Sequence, residues 1–256
     1  MEQIEFLPCG QWNIPCRITL PDDHPITQVV LGVHGIGGSS LDAIQVALAE
    51  EMATFCDATI RFDFPVHGQH ECEELTLAGC QETLMTVARY AKERFSQVED
   101  LCIFATGFGA YVTLSVLEDL LELPGNIRLV VQTPSVRAHE TFLSMLRCSR
   151  QTLRAVDQKI LAAPRPIAIT FSFFREMEEN IVRTTHPIPM LILHGEEDGY
   201  IRRADIQNFR RINERSKLVI LPGTSHQFQE EGAWDMVLDL TRDWFTFQQV
   251  LLCDWE

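Results

Sequence analysis

The stretch LCIFATGFGAYVTL, residues 101–114, decides the fold. Leu101–Ala105 is an apolar run of strand length, and Gly107, Gly109 and Ala110 open a helical pattern with no spacer between the two. A buried strand that turns straight into a helix needs small side chains where the two cross. The outline is that of G-x-S-x-G, in which a serine sits on a sharp strand-to-helix turn and is presented above the sheet. Ala105 stands at the first glycine, Thr106 at the second position, Gly107 at the serine, Phe108 at the fourth and Gly109 at the last. The steric logic of the turn is intact and the hydroxyl is missing. Glycine adopts the unfavourable backbone of such a turn freely, whereas a serine bears strain of about 1–3 kcal/mol there. Taken alone, the stretch is equally a strand, a glycine turn and a helix with no catalytic ancestry.

Outward from this stretch, β-branched apolar runs alternate with helical patterns. That alternation predicts a mostly parallel sheet covered on both faces. The predicted strands are Ile4–Leu7, Arg17–Leu20, Val29–Val33, Ala58–Phe62, Leu101–Ala105, Ile127–Val131, Met190–Leu193 and Lys217–Leu221. Helices are expected after an S-x-x-D start at Ser39, over Leu75–Phe95, over Phe108–Leu121, and over Ala233–Leu252 with Trp234, Leu238, Phe245 and Leu252 on one stripe. Residues 134–188 break the rhythm with shorter helices, punctuated by Pro164, Pro166, Pro187 and Pro189. They are expected to form a small cap over the carboxyl ends of the strands, where open α/β sheets bind ligands. The whole of 1–256 is expected to form one domain.

Three further segments bear on the chemistry. VVLGVHGIGGSS (29–40) is a strand ending in a glycine-rich loop whose backbone N–H groups can face a developing oxyanion. PMLILHGEEDGYI (189–201) places Asp198 just after a strand, and LVILPGTSHQF (218–228) places His226 after the next. The chain order is elbow, acid, histidine.

With RFDFPVHGQ (61–69) added, these segments resemble the α/β-hydrolase superfamily, close to its carboxylesterase, cinnamoyl-esterase and serine-aminopeptidase-like branches. The resemblance runs over nearly the whole chain. It implies an eight-stranded, mostly parallel sheet with helices on both faces. It also implies Asp198 as the triad acid, His226 as the base, and Ile36 and Phe108 as donors of oxyanion N–H groups. Gly107 departs from the pattern, and the N-myc downstream-regulated proteins, non-catalytic members of the superfamily, resemble the chain at that point. The expectation is a protein of ester or amide hydrolase ancestry with weak or absent acyl-enzyme hydrolysis. Two alternatives stay open: hydrolysis by a water that His226 activates, and a non-catalytic module that binds or regulates through a small ligand.

Other constellations carry less. His67, His70, Glu71 and Cys72 have no second cluster to complete a tetrahedral metal site, so no metal or cofactor is expected. His34 and His194 each precede a glycine at a strand end and are expected to hold loop backbone by hydrogen bonds. Thr106 is one residue out of register to replace the serine. Cys102 lies within the strand, and Glu196 and Glu197 are solvated neighbours of Asp198. Phe171, Phe173 and Phe174 pack the cap or line an apolar acyl or aryl pocket.

Composition bounds the rest. The chain has 256 residues, 46% hydrophobic, and a formal charge of −15. That charge repels phosphate backbones and anionic lipid, so neither nucleic acid nor membrane is an expected partner. The eight cysteines include no C-x-x-C pair, and MEQIEFLPCG has no basic or apolar leader region. Free thiols in the cytoplasm and a small apolar ester-like ligand are the expectation. The oligomeric state is not legible.

Overall fold

The computed structural model describes residues 1–22, 24–55, 57–162, 164–182 and 188–253, with side chains up to 247. Pro187 and the side chain of Leu252 lie outside that range. The strands are β1 (Glu2–Cys9), β2 (Trp12–Thr19), β3 (Val29–Val33), β4 (Ala58–Phe62), β5 (Asp100–Thr106), β6 (Asn126–Gln132), β7 (Gln158–Leu161), β8 (Ile167–Thr170), β9 (Met190–Gly195) and β10 (Lys217–Leu221). Eight of them form one sheet in the order β1-β2-β4-β3-β5-β6-β9-β10. β2 runs antiparallel to both β1 and β4, and every other pair is parallel. The eight expected strands are all present.

The helices are α1 (Ala43–Thr54), α2 (Leu77–Arg94), α3 (Gly107–Ser115), α4 (Leu117–Leu121), α5 (Ala138–Met145), α6 (Arg150–Val156), α7 (Phe171–Glu179), α8 (Arg203–Ile212) and α9 (Ala233–Cys253). Strand alternation splits the core in two. Val29, Leu31 and Val33 pack on the side of α2 and α3 with Leu84, Val87 and Val112. Val30, Phe104 and Val130 pack on the other side with Leu48 of α1 and with Val237 and Trp244 of α9. Each fully buried side chain of this size contributes about 1.5–3 kcal/mol, so both faces hold the sheet between helices. Among the described residues, no helix is long and apolar enough to cross a membrane.

Four details differ from the sequence expectations. The helix after Ser39 begins only at Ala43, with Asp42 at the N-cap position and no side-chain cap bond to the helix. Ser39 lies in the turn before it, where its N–H donates to Asp42 Oδ2 at 3.0 Å. The helix expected over Phe108–Leu121 is two, because Val116 (φ −116°, ψ 16°) leaves helical geometry. The cap holds strands as well as helices. β7 and β8 form an antiparallel hairpin across Pro164 and Pro166, since Ile160, Ile167 and Ile169 favour extended backbone and the prolines prevent a helix through the turn. The last helix kinks at Phe247 (φ −122°, ψ 25°).

Candidate active site

β5 runs extended to Thr106 (φ −114°, ψ 137°), and the chain turns at Gly107 with φ +50° into the first residue of α3. A β-carbon there would meet only His226 Nε2, at 3.9 Å. The turn is tight because α3 crosses β3 closely. A β-carbon on Gly109 would lie 2.3 Å from the His34 carbonyl oxygen and 3.0 Å from Val33, so only glycine fits. The Gly107 carbonyl accepts a hydrogen bond from Ser135 N–H at 3.1 Å, tying the turn to the start of the cap. The Phe108 N–H lies in the first turn of α3, where amides have no partner inside the helix and the dipole is positive.

Asp198 follows β9. Its Oδ1 accepts from the N–H groups of Tyr200 (2.8 Å) and Ile201 (2.9 Å), and its Oδ2 is 2.8 Å from His226 Nδ1. The carboxylate is wholly buried, while His226 keeps 18% of its side chain exposed. Burial alone would raise the Asp198 pKa. The hydrogen bond and charge of His226, with the two N–H groups, outweigh it and hold the carboxyl below its ordinary value. The ring of Tyr200 stands edge-on to His226, centroids 5.3 Å apart. This leaves Nε2 facing Gly107 with Nδ1 held by the carboxylate.

The glycine loop after β3 is braced by two neutral histidines. His34 Nδ1–H donates to the Gly35 carbonyl (2.7 Å), and its Nε2 accepts from Phe64 N–H (3.1 Å). His67 Nδ1–H donates to the Pro65 carbonyl (2.7 Å), and its Nε2 accepts from Gly37 N–H (2.9 Å). Burial lowers both pKa values, that of His67 to about 3. His34 thus does what its position predicts. His67, read as part of a polar loop at the pocket edge, instead fixes the loop that carries Ile36. His194 departs from expectation. Among the described residues its ring makes no hydrogen bond to loop backbone. Its Nδ1 stands 3.8 Å from Asp198 Oδ2, and burial lowers its pKa.

A cavity of about 290 Å³ joins these parts. Ile36, Thr106, Gly107, Phe108, His226, Gln132 and Tyr200 line it, with Ile44, Phe142, Met145, Pro164 and Trp234 as apolar wall. Phe171, Phe173 and Phe174 are not on that wall. Phe173 and Phe174 are fully buried in the cap, and Phe173 packs edge-on to Phe108 and Phe142 at 5.7 and 6.0 Å. Phe171 stacks on Phe174. The first turn of an amphipathic α7 packs them against α5 instead, with Phe173 and Phe174 buried and Phe171 partly so, which sequence position alone could not separate from a wall. Cap residues Phe142 and Met145 of α5 face the cavity in their place. No run of aromatics marked them; the signal in hindsight is their place in the first helix after β6.

The remaining candidates fall away from the centre. Thr106 lines the cavity and makes a long hydrogen bond, 3.4 Å, to the Val33 carbonyl. Cys102 is buried, its thiol raised well above the ordinary value by burial, and it donates to Gln28 Oε1. Glu196 accepts from Gly223 N–H in the turn after β10, and Glu197 is exposed. His70 Nδ1 accepts from the Cys72 N–H. Among the described residues, no three His, Cys, Asp or Glu side chains stand together as a metal site would need.

No protein-family model and no curated protein matches this chain. Solved structures do. Est1E from Butyrivibrio proteoclasticus, with ferulic acid bound, shares 19% identity and a TM-score of 0.80 over 96% of this chain and 99% of that one. Alpha/beta hydrolase domain-containing protein 10 from mouse shares 14% identity and a TM-score of 0.72 over 97% and 99%. The esterase domain of a Rhodothermus marinus protein shares 17% identity and a TM-score of 0.70 over 95% and 97%. The chain has the α/β-hydrolase fold.

Proposed function

We propose that this chain is a protein of ester or amide hydrolase descent that binds a small ester-like ligand above Gly107, with the acyl-enzyme route closed. One observation carries the reading. An oriented Asp198–His226 pair aims Nε2 at the place where a serine side chain would start, and Gly107 supplies none. Loss of a triad serine costs about 10⁶ in kcat, and oxyanion donors with binding leave roughly 10³–10⁴ over water. Conventional turnover is therefore weak. Ile36 and Phe108 N–H are the oxyanion donors in this reading. Ile44, Phe142, Met145 and Trp234, rather than Phe171, Phe173 and Phe174, are the apolar surface for the acyl or alcohol group. A reducing compartment such as the cytoplasm suits the six cysteines whose side chains are described, all of them free thiols.

A second reading rests on the retention of the pair. A water above Gly107, deprotonated by His226, could attack a bound ester directly, with Asp198 holding the tautomer. Hydrolysis of p-nitrophenyl acetate and butyrate by the natural chain, by Gly107→Ser and by His226→Ala separates the two. In the first reading Gly107→Ser gains orders of magnitude and the natural chain has only a trace of activity. In the second, the natural chain turns over measurably and His226→Ala abolishes that turnover. A purely ligand-binding role would show as no gain in the serine variant.

A further inference from the structure

Gln132 is the last residue of β6, the Cα partner of Thr106 on β5 and of Leu193 on β9. Its side chain is 4% exposed, and it lines the cavity beside Gly107. Oε1 is buried and, among the described residues, has no hydrogen-bond partner. A buried amide carries one acceptor and two donors, and native folds rarely leave such a group unmet. Gln45 is a useful contrast. Its Oε1 and Nε2 are both buried without a partner among the described residues, but Oε1 lies 2.3 Å from where a β-carbon on Gly32 would be, packed against β3 and away from the cavity. Gln45 is sealed; Gln132 borders open space.

The rest of the lining narrows what could meet it. Among the described residues, Asp42 is the only carboxylate in the lining, and no lysine or arginine lines the cavity. Together with a net charge of −15, this disfavours an anionic ligand. Along β6, Val130 faces the core on the α1 and α9 side, and Gln132, two residues on, faces the same way. Ile44 and Trp234, which pack on that same core face, line the cavity too, as do Phe142 and Met145 of the cap.

We propose that Gln132 is the polar anchor of this cavity, and that its ligand is a neutral acyl compound with a hydroxyl or amide close to the carbonyl. The carbonyl lies at the Ile36 and Phe108 N–H groups, and the second group donates to Gln132 Oε1. The proposal rests on the reading of the cavity as the ligand site.

Two stable probes test it: butyranilide and 3-hydroxybutyranilide, titrated calorimetrically into the natural chain. The hydroxylated anilide should bind roughly tenfold tighter, the worth of one neutral hydrogen bond to an otherwise unmet buried group. In Gln132→Leu, and in Gln132→Met should the leucine variant fold poorly, the two affinities should converge. Equal affinities in the natural chain, no binding of either probe, or a preference that survives both substitutions overturns the assignment. The anilide difference needs no turnover. A preference with an inactive Gly107→Ser would sink the hydrolase reading of the site and leave the anchor standing. An active Gly107→Ser with no preference would do the reverse.

Discussion

Gly107→Ser tests the geometry most directly. The β-carbon it adds would stand 3.9 Å from His226 Nε2, with no other heavy atom beyond the adjoining residues within 4 Å. The Oγ lies one bond further on and can be turned toward the ring. A suitable rotamer falls within the roughly 2.6–3.2 Å of a nucleophile–base pair. The backbone stays at φ +50°, so the serine bears about 1–3 kcal/mol of strain. Loss of glycine's freedom in the unfolded chain returns about 0.4–1 kcal/mol. The net destabilisation is about 0–2.6 kcal/mol, or a fall in Tm of up to about 10 °C at roughly 2–4 °C per kcal/mol. Against this, hydrolysis of p-nitrophenyl butyrate should rise by at least about 10³, out of the roughly 10⁶ that a triad serine commands. Kinetics and a thermal melt on the same preparation read both numbers. A folded variant with a higher Tm would refute the elbow strain. A folded variant with the expected Tm and no rise in kcat/KM would refute the hydrolase reading of the site.

Gly109→Ala should destabilise the chain by about 3 kcal/mol or prevent folding, because its β-carbon would overlap the His34 carbonyl, a backbone atom that cannot turn aside; chemical denaturation measures it. His67→Ala leaves Gly37 N–H and Pro65 C=O without their partner. It should cost about 2–4 kcal/mol and, combined with Gly107→Ser, lower kcat further by loosening the oxyanion loop. Asp57 accepts a hydrogen bond from Thr27, and burial pushes its carboxyl up to about 6. The folded chain therefore holds that proton more tightly than the unfolded chain does. The destabilisation from its charged form is present at neutral pH and fades as the pH falls from about 6 toward 4. Asp57→Asn should raise Tm at pH 7 and flatten the Tm–pH curve between pH 7 and 4; an unchanged curve would refute it.

Sequence alone determined the strands and their alternation, since VVLGV and LCIFA are too apolar to sit anywhere but the centre of a two-faced sheet. It determined the elbow too: Gly107 at φ +50° and Gly109 against β3 are local steric necessities, written in the residue types. Asp198 and His226 were legible because each immediately follows a strand, and parallel strands bring their carboxyl ends to one edge. Their 2.8 Å contact follows from β9 and β10 being neighbours. What tertiary structure alone decided is which side chains face the same space. Phe171, Phe173 and Phe174 could have lined the cavity or filled the cap, and only the docking of α7 on α5 buries them. His67 and His194 look alike as histidines near glycines. One braces the Gly37 loop from 30 residues away, while the other turns to Asp198. Gln132 carries no motif at all; its importance is a missing partner, and a missing partner exists only once every neighbour has been placed.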